Sequence, residues 1–283
     1  MIKPCSIVCC YFCNPCITNK IILNLSEFGK VYVFINGGEP PLINYKLHKK
    51  IILIKSEKNL GTTGAYNKII NSTNHSYYWL WDQDSYISKK SAKKFLKKSN
   101  KEFLVNKNCL MTTVKDKKNS FKFLNNKLIL SKASSSLINS LRVKKNLKFQ
   151  FDENLFLDYG DWDFCFRIFN TKNKIIEIEG VNIGHKLGNK YLSIFGNFLS
   201  GPSPIRITLQ IANTFYLFKK YKFSLINFIL FLRLILLPFK LLIYNDYFKR
   251  LKYYFKGIIL GLKGYTSLMI LSKNKAIDLD LKS

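Results

Sequence analysis

Five short apolar runs within the first 115 residues alternate with helix-like stretches, and that alternation limits the chain to few architectures. The runs are SIVCCYF (6–12), KVYVFIN (30–36), KIILIK (50–55), SYYWLW (76–81) and NCLMTTV (108–114). NKIILNLSEFG follows the first, and the glycine-initiated GTTGAYNKIINST (61–73) follows the third, both with helical character. Strands joined through helices pair in parallel, because a crossover of that length returns the chain to the same end of the sheet. An α/β fold is therefore expected. Ligands of such sheets gather outside the carboxyl ends of the strands. Asn36 and Asp82 fall at two such ends, and Asn59 lies just past the third.

The chain of 283 residues carries 46 Lys and Arg against 17 Asp and Glu, a net charge of +29. That excess points to a nucleic acid, an anionic membrane or an acidic substrate as partner. Aromatic residues alternate with aliphatic ones in core-like runs rather than forming a stacking face. A nucleic-acid-binding protein is therefore the less favoured class, beside a non-catalytic membrane scaffold. The opening MIKPCSIVCCYFC lacks the basic stretch, long apolar run and cleavage site of a secretory leader. The seven cysteines then read as thiols of a reducing cytoplasm. Cys10, Cys13 and Cys16 form overlapping CxxC spacings, but no second ligand pair completes a structural zinc site.

From residue 206 the pattern changes, so a domain of 1–205 followed by a helical region of 206–283 is expected. FSLINFILFLRLILLPFKLLIY (223–244) is strongly apolar, with Arg233 and Lys240 inside it and Pro238 expected to end or kink a helix. Three readings fit it: helices lying in the cytoplasmic leaflet, a buried helical subdomain, or a true span. A spanning helix needs about 20 apolar residues, and a mid-segment arginine costs roughly 2.5–3.5 kcal/mol. The surrounding lysines and aromatics favour the first reading.

WDQDS places Asp82 and Asp84 one residue apart after the fourth run. On an extended backbone alternate residues face one side, so the two carboxylates converge. Alone, the pair is equally a solvated turn. FLDYGDWDFCFR (156–167) adds Asp158, Asp161 and Asp163 under aromatic cover, which is either a helix N-terminus enriched in acids or a group of carboxylates with one raised pKa.

Taken in order, CYFCNP, INGG, KNLGTTGAYN, WDQDS, SSSL, FLDYGDWDFCFR, GHKLG and SPIRITLQIANT resemble the motifs of family 2 glycosyltransferases with the GT-A fold, and within them bacterial rhamnosyltransferases of surface-polysaccharide assembly. The likeness runs from about residue 5 to about residue 265. It implies a Rossmann-like, mostly parallel sheet flanked by helices, with a membrane-associating helical region behind it. By the resemblance, Asn14, Asn36, Asn59, Gly61 and Gly64 shape the nucleotide site, with Asn36 standing where the family has an aspartate that binds the base. Asp84 holds Mg²⁺ or Mn²⁺, Asp82 contacts the ribose or the metal, and His185 is a further metal ligand. Asp161 maps onto the general base. Arg206 contacts the diphosphate or a phosphate of the acceptor. Ser135 replaces a glycine near the acceptor, and Gly160 a valine. The implied activity is metal-dependent, inverting transfer from dTDP-L-rhamnose to a polyprenyl-diphosphate-linked glycan at the inner face of the cell membrane. A UDP-hexose, UDP-N-acetylhexosamine or UDP-galactofuranose donor is the alternative.

Overall fold

The structure, a computed structural model, describes residues 2–11, 15–37, 48–115, 120–123, 126–132, 134, 136–185, 190–222 and 224–273. The chain divides into two compact units, Met1–Asp152 with Gly160–Lys186 and Glu153–Tyr159 with Leu187–Ser283. A division at 205/206 would cut later than these units do.

The first unit runs β1 (Cys5–Cys10), α1 (Pro15–Ser26), β2 (Val31–Asn36), β3 (Ile51–Ser56), α2 (Gly61–Ser72), β4 (Tyr77–Asp82), β5 (Ser85–Tyr86), α3 (Lys89–Val105), β6 (Cys109–Val114), β7 (Ser120–Phe123), β8 (Asn126–Ile129), β9 (Leu137–Asn139), α4 (Ser140–Asn146), α5 (Gly160–Asn170), β10 (Lys174–Ile178) and β11 (Gly184–His185). Seven strands form one sheet in the order β10-β6-β9-β4-β1-β2-β3. Neighbours are parallel except at β9, which pairs antiparallel with both β4 and β6. All five apolar runs became sheet strands, but the fifth does not adjoin the fourth, because β9 lies between them.

β1 and β2 are buried along their whole length. That is the signature of a sheet covered on both faces, and it explains runs without polar alternation. β3 at the edge does alternate, with Leu53 and Lys55 exposed. The helices cover the sheet with apolar stripes at helical spacing. α1 buries Thr18, Ile21, Ile22 and Leu25, and α3 buries Ala92, Phe95, Leu96, Ser99 and Phe103. The exposed lysines of KKSAKKFLKKSNK, such as Lys93, Lys94, Lys97 and Lys98, occupy the solvent side of α3.

The second unit contains the hairpin β12 (Lys190–Leu192) and β13 (Phe198–Ser200), then α6 (Pro204–Tyr221), α7 (Leu225–Leu241), α8 (Tyr247–Leu262) and α9 (Ser267–Lys273). Pro204 opens α6, where its missing N–H is of no consequence. α6 and α8 approach closely at two glycines one turn apart. A Cβ on Gly257 would lie 2.8 Å from Ile211 Cβ and 3.0 Å from the Thr208 carbonyl oxygen, and one on Gly261 would lie 2.5 Å from Phe215 Cδ2.

Pro238 does not end its helix where it stands. α7 continues to Leu241. A proline cannot donate to the carbonyl four residues back, here that of Leu234, and the Tyr254 hydroxyl on α8 donates to that oxygen instead at 3.0 Å. Among the described residues no helix is long and apolar enough to cross a membrane.

Candidate active site

The order of strands reverses at β1. The chain steps outward through β2 and β3, then returns to place β4 on the other side of β1. Such a switch opens a crevice at the carboxyl ends of the two strands. Asp82, the last residue of β4, lies in register with Cys9. One step further, the Gln83 carboxamide takes both backbone groups of Tyr11: its Oε1 accepts the Tyr11 N–H and its Nε2 donates to the Tyr11 carbonyl at 2.8 Å. The side chain thus extends the β1–β4 ladder past the strand ends. Thr18 Oγ1 adds a bond to the Gln83 carbonyl at 3.3 Å. Asn14 lies outside the described residues.

Asp82 is half-buried and held from both sides. The Ser134 hydroxyl donates to Oδ2, and the Tyr66 hydroxyl to Oδ1 at 3.3 Å. Ser134 Oγ also accepts the Asp82 N–H at 3.1 Å. With its one hydrogen committed to the carboxylate, Ser134 accepts from the Ser85 hydroxyl, 2.8 Å away. Asp84 is also half-buried, but β4 ends at Asp82, and Gln83 and Asp84 form the turn into β5. Alternation along one strand therefore does not relate the two aspartates. β5 pairs antiparallel with β11, and His185 lies opposite Ser85. Its backbone is thus beside the residue that follows Asp84, while its side chain lies outside the description.

Among the described residues no three His, Cys, Asp or Glu side chains come together as a metal cluster. The donor set still fits a hard cation. Mg²⁺ is commonly bound by one or two carboxylates plus substrate phosphates, rather than by an all-protein cage. Two aspartates at the mouth of a crevice supply such oxygens.

Asn36 closes β2 and is buried. Its Oδ1 accepts the Leu60 N–H at 2.7 Å, and its Nδ2 donates to the Gly61 carbonyl at 3.1 Å. Its amide, expected from the resemblance to meet the base, here fixes the loop entering α2. Asn59 Oδ1 accepts the Gly61 N–H at 2.9 Å in the same loop. Gly61 has φ +69°, a left-handed conformation that favours glycine. Gly64 faces Leu60, whose Cβ would be 2.9 Å from an added Cβ. The three motif positions therefore form one compact loop-to-helix entry at the carboxyl edge of β2 and β3. Asn67 ends the motif, and its carboxamide pairs with Phe151 through both backbone groups, at 2.7 and 2.9 Å.

The acids of FLDYGDWDFCFR have different environments. In the first unit, Asp163 is fully buried, and its Oδ2 accepts from Arg167 Nε at 2.9 Å. The rest of that guanidinium donates to the Lys148 and Gln150 carbonyls. Asp161 is half-buried in the first turn of α5, with Oδ1 accepting the Trp162 N–H at 2.9 Å. It lines a small cavity with Ser131, Ser136, Phe151 and Cys165. Tyr66, whose hydroxyl is bonded to Asp82, is buried. Burial first, then the charges of Asp82, Cys9 and Asp161, push that buried phenol well above its ordinary pKa. Asp82 accepts a hydrogen bond from that hydroxyl, while Asp161 acts on it through charge. Cys9 is raised to about 12 by burial and then by Asp82, and so is an inert wall rather than a nucleophile.

In the second unit, Arg206 forks onto Asp158, with Nη2 2.6 Å from Oδ1 and Nε 2.9 Å from Oδ2. Gln210 Nε2 adds a bond at 3.1 Å. Burial raises the Asp158 pKa, but Arg206, Gln210 and Arg233 together outweigh it and hold the carboxyl below its ordinary range. Asp158 and Tyr159 both have left-handed φ, +64° and +63°, a costly conformation for side-chain-bearing residues. Asn213 Nδ2 donates to the carbonyls of Leu157 and Asp158. Arg206, expected to meet a phosphate, is thus engaged by a carboxylate of its own unit.

The sequence reading missed Ser134, Tyr66 and Gln83. Ser134 and Asp82 are 52 positions apart, and no spacing rule links them. All three stand inside the motifs KNLGTTGAYN, WDQDS and SSSL, at positions to which the resemblance assigns no role.

No family model matches the chain. Among curated proteins it is similar to the dTDP-rhamnosyl transferase RfbF of Shigella flexneri, 33% identical over 69 residues, or 24% of this chain. The match spans about a quarter of that protein, 23% of its length. Among solved structures it is similar to TarS 1–349 of S. aureus, with a TM-score of 0.51 at 14% identity over 96% of this chain and 91% of that one. The same TarS segment in complex with UDP-GlcNAc gives a TM-score of 0.53 at 14% identity, over 96% and 92%. The resemblance to GT-A glycosyltransferases is borne out by these two likenesses, one in sequence and one in fold.

Proposed function

We propose that the protein is an inverting glycosyltransferase that moves a sugar from a nucleoside-diphosphate donor to a hydroxyl of a lipid-linked glycan. The observation that carries this is the placement of Asp82 at the end of β4, beside the strand where the order reverses, with its carboxylate held by Ser134 and Tyr66. One carboxylate at such a crevice serves the donor, and a second serves the attacking hydroxyl.

Asp161 takes the proton of the acceptor hydroxyl. The freed oxygen lone pair forms a bond to the anomeric carbon from the face opposite the diphosphate. The bond from that carbon to the diphosphate oxygen breaks, its electrons leave with the nucleoside diphosphate, and the configuration inverts. A positioned general base of this kind contributes about 10²- to 10⁴-fold. Asp82, its two oxygens held by hydroxyls, keeps lone pairs for a ribose hydroxyl. The Asn36–Asn59–Gly61–Gly64 loop gives the nucleotide its backbone wall. Asp84, with Asp82 and His185, would hold Mg²⁺ or Mn²⁺, which when bound supplies positive charge beside the departing diphosphate.

The RfbF match supports dTDP-L-rhamnose as donor; a polyprenyl-diphosphate-linked glycan as acceptor, with the protein peripheral on the inner face of the cell membrane, rests on the motif resemblance and on the basic, apolar helical region after residue 206. The UDP-GlcNAc complex of TarS favours a UDP-sugar as the second reading. The test is a panel of nucleotide sugars with the full chain, with products identified by mass. Asp161→Asn is expected to lower turnover about 10²- to 10⁴-fold while donor binding is retained. Parallel loss of donor affinity and turnover refutes the base assignment. Turnover that persists in EDTA refutes the metal site.

A further inference from the structure

Within the second unit, α7 presents an unbroken apolar stripe to solvent. Phe228, Phe231, Leu232, Ile235, Leu236 and Phe239 are all exposed, Phe239 to 68%. Their spacing of three and four keeps them on one side of a 17-residue helix, ~25 Å long. The stripe does not stop at the helix end. Leu242 and Ile243 continue it, and the Ile243 carbonyl accepts the Ile194 N–H at 2.9 Å. That bond, with the Ser193–Tyr244 bridge, fastens the tip of the β12–β13 hairpin beside it. The tip carries Ile194 and Phe195, the latter 75% exposed.

α8 adds a second kind of face. Phe248, Phe255, Ile259 and Leu262 are exposed together with Lys249, Lys252, Lys256 and Lys263. Between Leu225 and Lys263 the only acid is Asp246, and Arg250 Nε already donates to it. Arg233, the cation that counts against a span, leans over the Tyr159 ring at 5.8 Å.

We propose that the α7 stripe, the hairpin tip and the lysine-bearing face of α8 form one docking surface for an anionic lipid bilayer, with α7 lying in the plane of the interface. Exposed aromatics interleaved with lysines suit the boundary between acyl chains and anionic headgroups, where the rings enter and the long lysine stems reach back to the phosphates. The charge selects this occupant over a second copy of the chain, since two chains of +29 repel each other. The surface is what a lipid-linked acceptor requires, yet it can be measured without any donor or acceptor.

The test uses the full chain with vesicles of phosphatidylcholine alone or mixed with phosphatidylglycerol. Binding is expected on the mixed vesicles and falls steeply with salt. A Phe231→Ser, Phe239→Ser double variant, and separately a Lys249→Glu, Lys252→Glu, Lys256→Glu triple variant, should each lower the bound fraction about tenfold or more, with unchanged circular dichroism. Phe195→Trp should shift its fluorescence to the blue on the mixed vesicles only. Binding that ignores all of these substitutions, or a tryptophan that stays in water, overturns the proposal. So does a concentration-dependent dimer that the phenylalanine variant abolishes in the absence of vesicle binding. Retained vesicle binding with no sugar transfer would overturn the enzymatic reading and leave this one standing.

Discussion

Replacing Arg206 by methionine separates two roles that the sequence alone runs together. If the guanidinium serves a diphosphate, the variant folds normally and binds donor poorly. If it serves Asp158, the variant loses stability. Removing one partner of a buried ion pair costs about 3–5 kcal/mol, because the remaining charge is stranded. Exposed pairs contribute about 1 kcal/mol or less. The pair lies between these limits, since the Asp158 side chain is 15% exposed and that of Arg206 is 42% exposed. A loss of roughly 2 kcal/mol follows, seen as a fall of roughly 4–8 °C in Tm for a protein of this size. The pH dependence has a definite sign. The folded-state pKa of Asp158 is depressed, so the pair's contribution is fully present above the unfolded value, near 3.9, and is lost as pH falls through the folded one. Without Arg206 the largest lowering cause is gone and burial is opposed only by Gln210 and Arg233, so the Asp158 pKa rises relative to wild type and the stability gap between the two narrows on acidification. Asp158→Asn placed on top of Arg206→Met should restore much of the loss, because it removes the stranded charge. Thermal and urea unfolding between pH 4 and 8, with donor titration on the same samples, reads all of this. An unchanged Tm with weakened donor binding would refute the clamp and return Arg206 to the phosphate.

Two further substitutions probe other links. Ser134→Ala removes a hydroxyl that donates to the Asp82 carboxylate and accepts its N–H; a hydrogen bond to a charged group contributes about 1.5–3 kcal/mol. Donor KM should therefore rise roughly tenfold or more with a smaller change in kcat, and an unaltered KM would remove Asp82 from donor binding. Gly257→Ala sets a methyl 2.8 Å from Ile211 Cβ and 3.0 Å from the Thr208 carbonyl, so the α6–α8 crossing must open. About 1–3 kcal/mol of stability should be lost, and an unchanged urea midpoint would mean that the two helices are not packed this closely.

What the sequence disclosed, and what it hid, follows from the range of each interaction. Buried parallel strands are legible because burial on both faces forces continuous apolar runs, and every run picked out this way is a sheet strand. β9 was not legible. It has three residues, and only pairing with β4 and β6 makes it a strand. The motif residues were legible as a set, and Asn59, Gly61 and Gly64 do share one loop. Their roles were less so, because a side chain's partner is chosen in three dimensions. The resemblance sets Asn36 toward a base, and in the fold its amide also bonds the Leu60 and Gly61 backbone. The resemblance sets Arg206 toward a phosphate, and in the fold it bonds Asp158. The three acids around Trp162 look alike in the sequence, and the fold tells them apart. Arg167 pairs with Asp163, Arg206 pairs with Asp158, and Asp161 lines a small cavity with Ser131, Ser136 and Cys165. Arg206 beside Asp158 helps to hold that carboxyl in its charged form, below its ordinary pKa range. Two arginines, one of them 48 residues from its partner, thus claim Asp158 and Asp163, and the proposed base is the third acid, Asp161, which lines the cavity.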